Sequence, residues 1–568
     1  MAISLRILVI GGVACGPKTA SRLKRLLPDA DVTMIERGGI VSYGACGLPY
    51  YVEGLFPDVE MLTETPVGVP RTPVFFEKAK GFRVLTRTEA IRIDNKRKTV
   101  RVRYLDRDSE EDLAYDKLVI ATGGRPLKPP IPGMDLDNIW YVRELDDVAT
   151  LVEAIEKDAL KKAVLIGAGY IGMEMAEALK GKGLDVTVVE MLDQIMPQFL
   201  DKDMAMLLQK HLQAKGVRLA LGEKVVALHG NGKIEAVKTD CQTIPTDLAI
   251  VAVGVQPNDE LAREAGLLCS PKGGIVINSY CQTSDPHIYA GGDCVVNQYV
   301  HSITGASLYV PLGSTANKHG RVIANHIAGL TSPFQGITGT GICKVFDYTA
   351  GRTGITEKLA QELNLDVETA IWAGPDLPHY LPTSKPLIIK MVASKRYRKL
   401  LGIQVVGLGN GSKRLDVAAT AIFFGATLDQ IGNLDLGYAP PYSPPLDPIA
   451  TTAHLLLNKM NGFARSISPL EAKKRMDQGD DIILLDVRTA DEYRAMRLPD
   501  DRVVHIPLGA LREKVHDLPR DKDILPFCKV SMRGYEAQRI LNAAGFTRVW
   551  FIEGGLLGWP FELSTADN

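Results

Sequence analysis

The stretch AVLIGAGYIGMEMAEAL, residues 163 to 179, reads as a short buried strand, a glycine turn and a helix. In Gly167-Ala168-Gly169-Tyr170-Ile171-Gly172 the first glycine permits a tight turn and the second lets backbone approach a pyrophosphate. The third lets the helix pack closely on the strand, and the phosphate then rests on the helix N-terminus. A following strand, VTVVEM, carries Glu190, placed to accept hydrogen bonds from a ribose 2′-hydroxyl and to repel a 2′-phosphate. The unit therefore predicts a dinucleotide site that favours NADH over NADPH. A glycine turn that only packs a helix is the plainer alternative, but strand, helix and acidic residue all fall where the site requires them.

The pattern occurs a second time at the start of the chain. The strand RILVI meets Gly11-Gly12-Val13-Ala14-Cys15-Gly16, a helix-like SRLKRLL follows, and VTMIER brings Glu36 to the end of the next strand. This copy lacks the middle glycine. Two further pieces accompany it: Ala121-Thr122-Gly123-Gly124 after the strand DKLVI, and Ile288-Tyr289-Ala290-Gly291-Gly292-Asp293 far downstream.

In this order the four motifs resemble the two-dinucleotide-binding flavoprotein disulfide reductases, over essentially residues 1 to 455. The resemblance implies FAD held by Gly11, Gly12, Ala14, Gly16, Glu36, Arg37, Thr122 and Gly123, with Asp293 on its ribityl and pyrophosphate region. Leu312, Ala316 and Asn317 would lie beside the isoalloxazine, and NADH would occupy the loop of Gly167, Gly169, Gly172 and Glu190. The expected fold is α/β, with two Rossmann-like dinucleotide-binding domains for FAD and NAD. Its FAD domain would come in two parts (1–150 and 266–330) around an NAD domain (151–265). Residues 331–460 hold β-rich runs, a helix-like LDVAATAIFFGA and the proline-rich YAPPYSPPLDP, and read as an α+β dimerisation domain. A polar segment near Asn461 to Pro469 reads as a linker into a compact C-terminal α/β domain, 466–568.

Composition narrows the class of ligand. A chain of 568 residues with 46% hydrophobic content is long enough for several cores, and a formal net charge of −1 gives no global field for nucleic acid or an anionic membrane. The first apolar run meets glycines at once and lacks a signal-peptide cleavage pattern, and no later run would span a bilayer, so a cytoplasmic location is expected. Eight cysteines (15, 46, 241, 269, 281, 294, 343 and 528) are scattered without C-x-x-C or zinc-type spacing, which argues against a disulfide framework or a bound metal.

Two of those cysteines stand apart. The loop VSYGACGLPYY, residues 41 to 51, follows the first nucleotide-binding half and contains Cys46 alone. Paired-cysteine reductases place C-x4-C here, so Cys46 must form its sulfur bond with something else, a small thiol or a sulfane sulfur. The loop resembles the signature of single-cysteine coenzyme A disulfide reductases and NADH-dependent persulfide reductases. Its thiol needs a polarising site to ionise at neutral pH, which a positively biased helix end and an adjacent flavin would supply. A small buried hydrophobe is the plain alternative. In that family Tyr438 and Tyr380 would reach across a homodimer towards the cysteine and flavin, completing a shared active site where a phenol assists a leaving sulfur. Simple interface packing is the alternative for both tyrosines.

In the C-terminal block, ILPF reads as a buried strand, Cys528 to Gly534 as a turn and YEAQRILNAAG as a helix. Loop N–H groups and the helix N-terminus favour an anion there, reinforced by Lys529 and Arg533. The block resembles a rhodanese domain, with Cys528 as sulfur acceptor, Arg533 closing its C-x4-R cradle, and Asp486 and Arg488 as a supporting pair. It departs from the family's G-H-I-P-G-A stretch, which is here Ala495 to Asp501.

A sulfur-carrying domain is useful beside a reductase of persulfide or polysulfide and adds little to simple coenzyme A disulfide reduction. Arg25 and Ser42 match positions that contact coenzyme A in the family, so coenzyme A stays open as a ligand or carrier. Ala45 replaces the expected asparagine and Leu446 a lysine, which removes one cation for its phosphates. Three alternatives to sulfane-sulfur reduction stay open: coenzyme A disulfide reduction, NADH oxidase or peroxidase chemistry through a sulfenic acid, and a non-catalytic redox-sensing or persulfide-carrying scaffold.

Overall fold

The computed structural model describes residues 4–300 and 307–565. The chain divides into two compact units, one built from the residues up to Met191 with Glu223–Ile337, the other from Leu192–Gly222 and the residues from Thr338 onward.

The first unit holds both dinucleotide folds. In the N-terminal one, strands run Ile288–Ala290, Lys117–Ile120, Arg6–Ile10, Asp31–Ile35 and Arg83–Leu85 across a parallel sheet. Both faces of Arg6–Ile10 are covered, and its four apolar residues from Ile7 to Ile10 are all buried, as expected of a central parallel strand. Helices Cys15–Leu26 and Gly313–Ile327 pack on one face over Val9, Leu23, Met34 and Ile323. The second fold places Lys162–Ile166 between Asp185–Glu190 and Leu248–Val251, all parallel, with Ile139–Trp140 beyond. Its helix Tyr170–Gly181 starts at the glycine turn. The strands Gly124–Pro126 and Val255–Pro257 pair antiparallel where the chain passes between the two folds.

The second unit contains an antiparallel five-stranded sheet in the order Gly341–Val345, Tyr348–Gly354, Leu400–Gly407, Pro386–Ser394, Val367–Pro375. Helices Gly411–Phe423 and Pro448–Met460 cover it through Leu415, Ala418, Ala453 and Leu456. At its C-terminal end a small parallel sheet of Val503–His505, Ile482–Asp486 and Asp523–Phe527 packs against helix Met532–Ala543.

Two local readings change. Part of the segment read as a linker is a strand: Ser466–Ile467 pairs in parallel with Phe551–Ile552, because those backbone groups are brought against a partner nearly ninety positions away in sequence. The final helix starts at Met532, inside the stretch read as a turn, with Gly534 buried in its first turns. No helix among the described residues is long and apolar enough to cross a membrane.

Candidate active site

The glycine turns are built by close backbone approach. A side chain at Gly11 would place its Cβ 2.0 Å from the Ala121 carbonyl oxygen, and one at Gly16 would lie 1.9 Å from that of Gly11. Gly172 is equally confined, 2.2 Å from the Gly167 oxygen. Gly169 differs, since nothing lies within 4 Å of the position its Cβ would take. The first and last glycines of each turn are thus required by the fold, whereas Gly169 opens onto free space that a pyrophosphate would fill.

Each strand-end carboxylate is already held at its turn. Glu36 accepts from Gly12 N–H at 2.7 Å and Gly38 N–H at 2.8 Å, and Glu190 accepts from Ala168 N–H at 3.0 Å. Ala14 is the cap residue of helix Cys15–Leu26, Arg37 is exposed 4.0 Å from Glu89, and the Thr122 hydroxyl donates to the Asn258 carbonyl. Gly123 takes a left-handed conformation beside the Arg143 guanidinium. Leu312 caps helix Gly313–Ile327, on which Ala316 is buried and Asn317 exposed. Burial raises the Asp293 carboxyl above the usual carboxylate range, with Arg143 acting the other way. The Tyr309 hydroxyl, 3.0 Å from where a Gly124 Cβ would stand, is buried without a partner. An open glycine cradle and an orphaned hydroxyl beside Gly124 fit a dinucleotide and a flavin.

Cys46 lies in the short turn Ala45–Gly47 that feeds helix Leu48–Glu53. Three contacts fix its loop: Ser42 N–H donates to the Gly12 carbonyl, Gly44 N–H to the Leu62 carbonyl, and the Arg71 guanidinium to the Ser42 carbonyl. The sulfur is exposed and stands 3.9 Å from the Cβ position of Gly313, the first residue of helix Gly313–Ile327. The loop therefore brings Cys46 to the same helix end as Leu312. Its ionisation is set by burial and by nearby charge. Partial burial, Glu174 and Asp293 raise the thiol pKa, and only Arg143 lowers it.

Several residues here escaped the sequence reading. The Tyr50 hydroxyl, one turn after Cys46, donates to Glu174 Oε1 at 3.3 Å. Burial pushes the Glu174 carboxyl up to about 7 despite that bond. Glu174 follows Gly172 in the dinucleotide helix, and an acidic residue in an otherwise apolar helix start was the available signal. Arg143 gave none, because it sits outside every motif, between Ile139–Trp140 and helix Leu145–Lys157.

In the second unit, Tyr380 and Tyr438 are 64% and 53% exposed, and the ring of Tyr380 meets His379 edge-on. Arg25, in the first unit, is exposed in the last turn of its helix, and Ser42 is half-buried at a positive φ. Leu446 is exposed.

Cys528 ends the strand Asp523–Phe527 and is fully buried, and the loop then passes through Ser531 at φ +92° into helix Met532–Ala543. Ser531 Oγ is buried without a partner. Arg533 is gripped by both oxygens of Glu492 at 2.7 Å, and the nearby Cys528 thiol is among the groups that raise its pKa. The paired guanidinium holds Glu492 down at about 2. Lys529 is exposed. Asp486 and Arg488 form a buried pair at 2.7 Å, and Arg488 also donates to the Glu492 and Met496 carbonyls.

Residues 5–317 match the pyridine nucleotide-disulphide oxidoreductases, 340–447 the dimerisation domain of that group, and 468–561 the rhodanese-like domain. The structure is similar to that of an NAD-dependent persulfide reductase from A. fulgidus, with TM-score 0.93 and 43% identity over 98% of this chain and 100% of that one. A protein described as NADH oxidase from Methanocaldococcus jannaschii is 34% identical over 80% of this chain and 100% of its own. An NAD(P)H sulfur oxidoreductase (CoA-dependent) from Pyrococcus abyssi is 36% identical over 79% of this chain and 98% of its own.

Proposed function

The chain belongs to the pyridine nucleotide-disulphide oxidoreductases and carries a rhodanese-like domain, and from that premise we propose that it uses NADH to reduce sulfane sulfur at Cys46. Its substrate class is a persulfide, a polysulfide or coenzyme A persulfide. Overall, one S–S bond accepts two electrons and two protons from NADH and H⁺, leaving two products at the thiol or sulfide level. The observation that carries this reading is a lone, exposed thiol at the head of helix Leu48–Glu53 in the same chain as a second thiol, Cys528, buried in a loop that ends at a helix N-terminus.

The Gly11–Gly16 turn would hold FAD and the Gly167–Gly172 turn NADH, which together would supply the two electrons that reduce sulfur. The chain's own groups do the rest. Thr122, Gly123, Arg37 and Asp293 complete the flavin site, with Leu312, Ala316 and Asn317 at the ring. Glu190 sets the preference for NADH by accepting from a free ribose hydroxyl. Cys46, once ionised, attacks the outer sulfur of the substrate, and the leaving sulfur takes a proton. Tyr380 and Tyr438 assist that departure from the partner subunit of a homodimer. Arg25 and Ser42 hold a coenzyme A carrier where one is used. Cys528, in the cradle closed by Arg533, accepts and delivers sulfur, and the enzyme works in the cytoplasm.

Anaerobic NADH oxidation with polysulfide, coenzyme A persulfide, coenzyme A disulfide and peroxide in parallel tests this. Sulfane substrates should turn over fastest. An oxidase reading is favoured by the Methanocaldococcus jannaschii relative, and oxygen, in a parallel aerobic arm, consuming NADH as fast as polysulfide would establish it instead.

A further inference from the structure

Glu553 closes the strand Phe551–Ile552 of the C-terminal domain and is 3% exposed. Its carboxylate gathers three elements. Oε2 accepts from the backbone N–H of Ile371 at 2.9 Å, on the edge strand Val367–Pro375. Oε1 accepts from Lys459 Nζ at 2.6 Å, near the end of helix Pro448–Met460, and from the Ser466 hydroxyl at 2.5 Å. Lys459 is itself half-buried, bonds the Thr369 carbonyl and pairs with Glu368 at 3.2 Å. The next residues run straight to the sulfur loop. Gly555, at φ +54°, would place a Cβ 2.4 Å from the Cys528 carbonyl oxygen. Leu556 and Leu557 donate their N–H groups to the carbonyls of Cys528 and Lys529, each at 2.9 Å. One turn of five residues, 553 to 557, thus carries a dimerisation-domain contact at one end and the backbone of Cys528 at the other.

We propose that Glu553 is a positioning residue for Cys528: it docks the rhodanese-like domain on the edge strand Val367–Pro375 and, through Gly554-Gly555, sets the loop that presents the sulfur-accepting thiol. A buried carboxylate that satisfies a sheet-edge N–H, an ammonium and a hydroxyl together tolerates no second orientation without stranding all three. Domain docking and the shape of the Cys528 cradle are therefore one geometric event.

The inference rests on the reading of Cys528 as a sulfur acceptor, and the experiment separates the two. Full-length Cys46→Ser protein leaves Cys528 as the thiol to follow. Its thiolate attacks the outer sulfur of thiosulfate, the S–S bond breaks and sulfite leaves with the electron pair, so loading is read by intact mass and assigned to Cys528, rather than to the exposed Cys241, by peptide mass. Alkylation of Cys528 as a function of pH, mapped by peptide mass, reads the cradle without any sulfur transfer. Glu553→Gln and Lys459→Met cut the dock from opposite sides, and Lys459 belongs to a different domain from the cysteine. Both should slow loading about tenfold, the order expected when a reacting group is displaced by a fraction of an ångström. Both should also move the alkylation midpoint. In the Cys46-containing protein, Lys459→Met should leave polysulfide-driven NADH oxidation unchanged. Unaltered loading and alkylation in both variants overturn the proposal, as does an effect confined to Glu553→Gln, which would make the action local to the domain. Absence of loading in the Cys46→Ser parent with an unshifted midpoint in Lys459→Met overturns both readings, whereas a shifted midpoint there removes only the acceptor reading.

Discussion

Cys46 is governed by its neighbours' charges. Glu174 and Asp293 raise its pKa on top of burial and Arg143 opposes them, so the resting thiol is poised by groups that themselves titrate or bind ligand. Cys46→Ser should abolish sulfur-dependent NADH turnover while NADH still bleaches the flavin absorbance, and retained turnover would remove Cys46 from the chemistry. Glu174 gives a pH-resolved test. Its carboxyl is raised from 4.5 to about 7 by burial, so the folded state holds a proton that the unfolded chain releases. That contribution to stability is fully present below pH 4.5 and lost as pH rises through about 7. Glu174→Gln should therefore match the parent's stability below pH 4.5 and exceed it above pH 7, by at most about 3.4 kcal/mol, read as a higher Tm. At pH 8, above the Glu174 value, the same substitution removes a negative charge beside Cys46, so iodoacetamide should alkylate that thiol faster.

At the scale of elements, the two glycine turns differ in what they leave open. Gly172 is pressed against the Gly167 carbonyl, so Gly172→Ala should lower stability by roughly 1–3 kcal/mol through overpacking. Gly169 meets nothing within 4 Å, and Gly169→Ala should fold with normal Tm and flavin content. Its added methyl occupies the space read as the pyrophosphate site, so KM for NADH should rise by about tenfold or more, a loss of ~1.4 kcal/mol. Steady-state titration with NADH alongside a thermal melt distinguishes the two variants. The N-terminal turn has Val13 where Gly169 stands in the other, yet keeps Gly11 and Gly16 at the positions where the backbones nearly touch.

The second unit is held as a whole by buried charge as well as by apolar contact. Lys390 is 3% exposed in the central sheet, with Asp203 and Glu357 each at 2.7 Å and Asp201 at 3.3 Å. Burial alone would lower its pKa, but the three carboxylates hold it above the ordinary lysine value. Asp201 also accepts from Gln404 and from the N–H groups of Glu357 and Lys358, so one cluster joins helix Lys202–Ala214, the sheet and helix Glu357–Glu362. Lys390→Met leaves these carboxylates buried without a cation and should cost about 3–5 kcal/mol, read as a fall in the unfolding midpoint with the flavin retained up to it. Tyr380, Tyr438, Tyr442 and Phe424 are all more than half exposed on this unit, as residues of a dimerisation domain that meets its partner would be.

The sequence by itself determined what short-range geometry dictates. Gly167 to Gly172 had to be a strand-to-helix turn, because their spacing answers to backbone contact within a few residues, and Glu190 followed from strand length. The lone cysteine of VSYGACGLPYY and the C-x4-R spacing of Cys528 and Arg533 were legible for the same reason: each motif carries its chemistry within one loop. Tertiary structure alone decided the charges around those thiols. Glu174 is far from Cys46 in sequence and Arg143 lies in no motif, so neither could be assigned to the cysteine until the chain had folded. Glu553 stands 182 positions from Ile371 and 94 from Lys459, and only packing shows that one carboxylate serves both. Burial and long-range Coulomb interactions depend on where the whole chain excludes water, which no local pattern records.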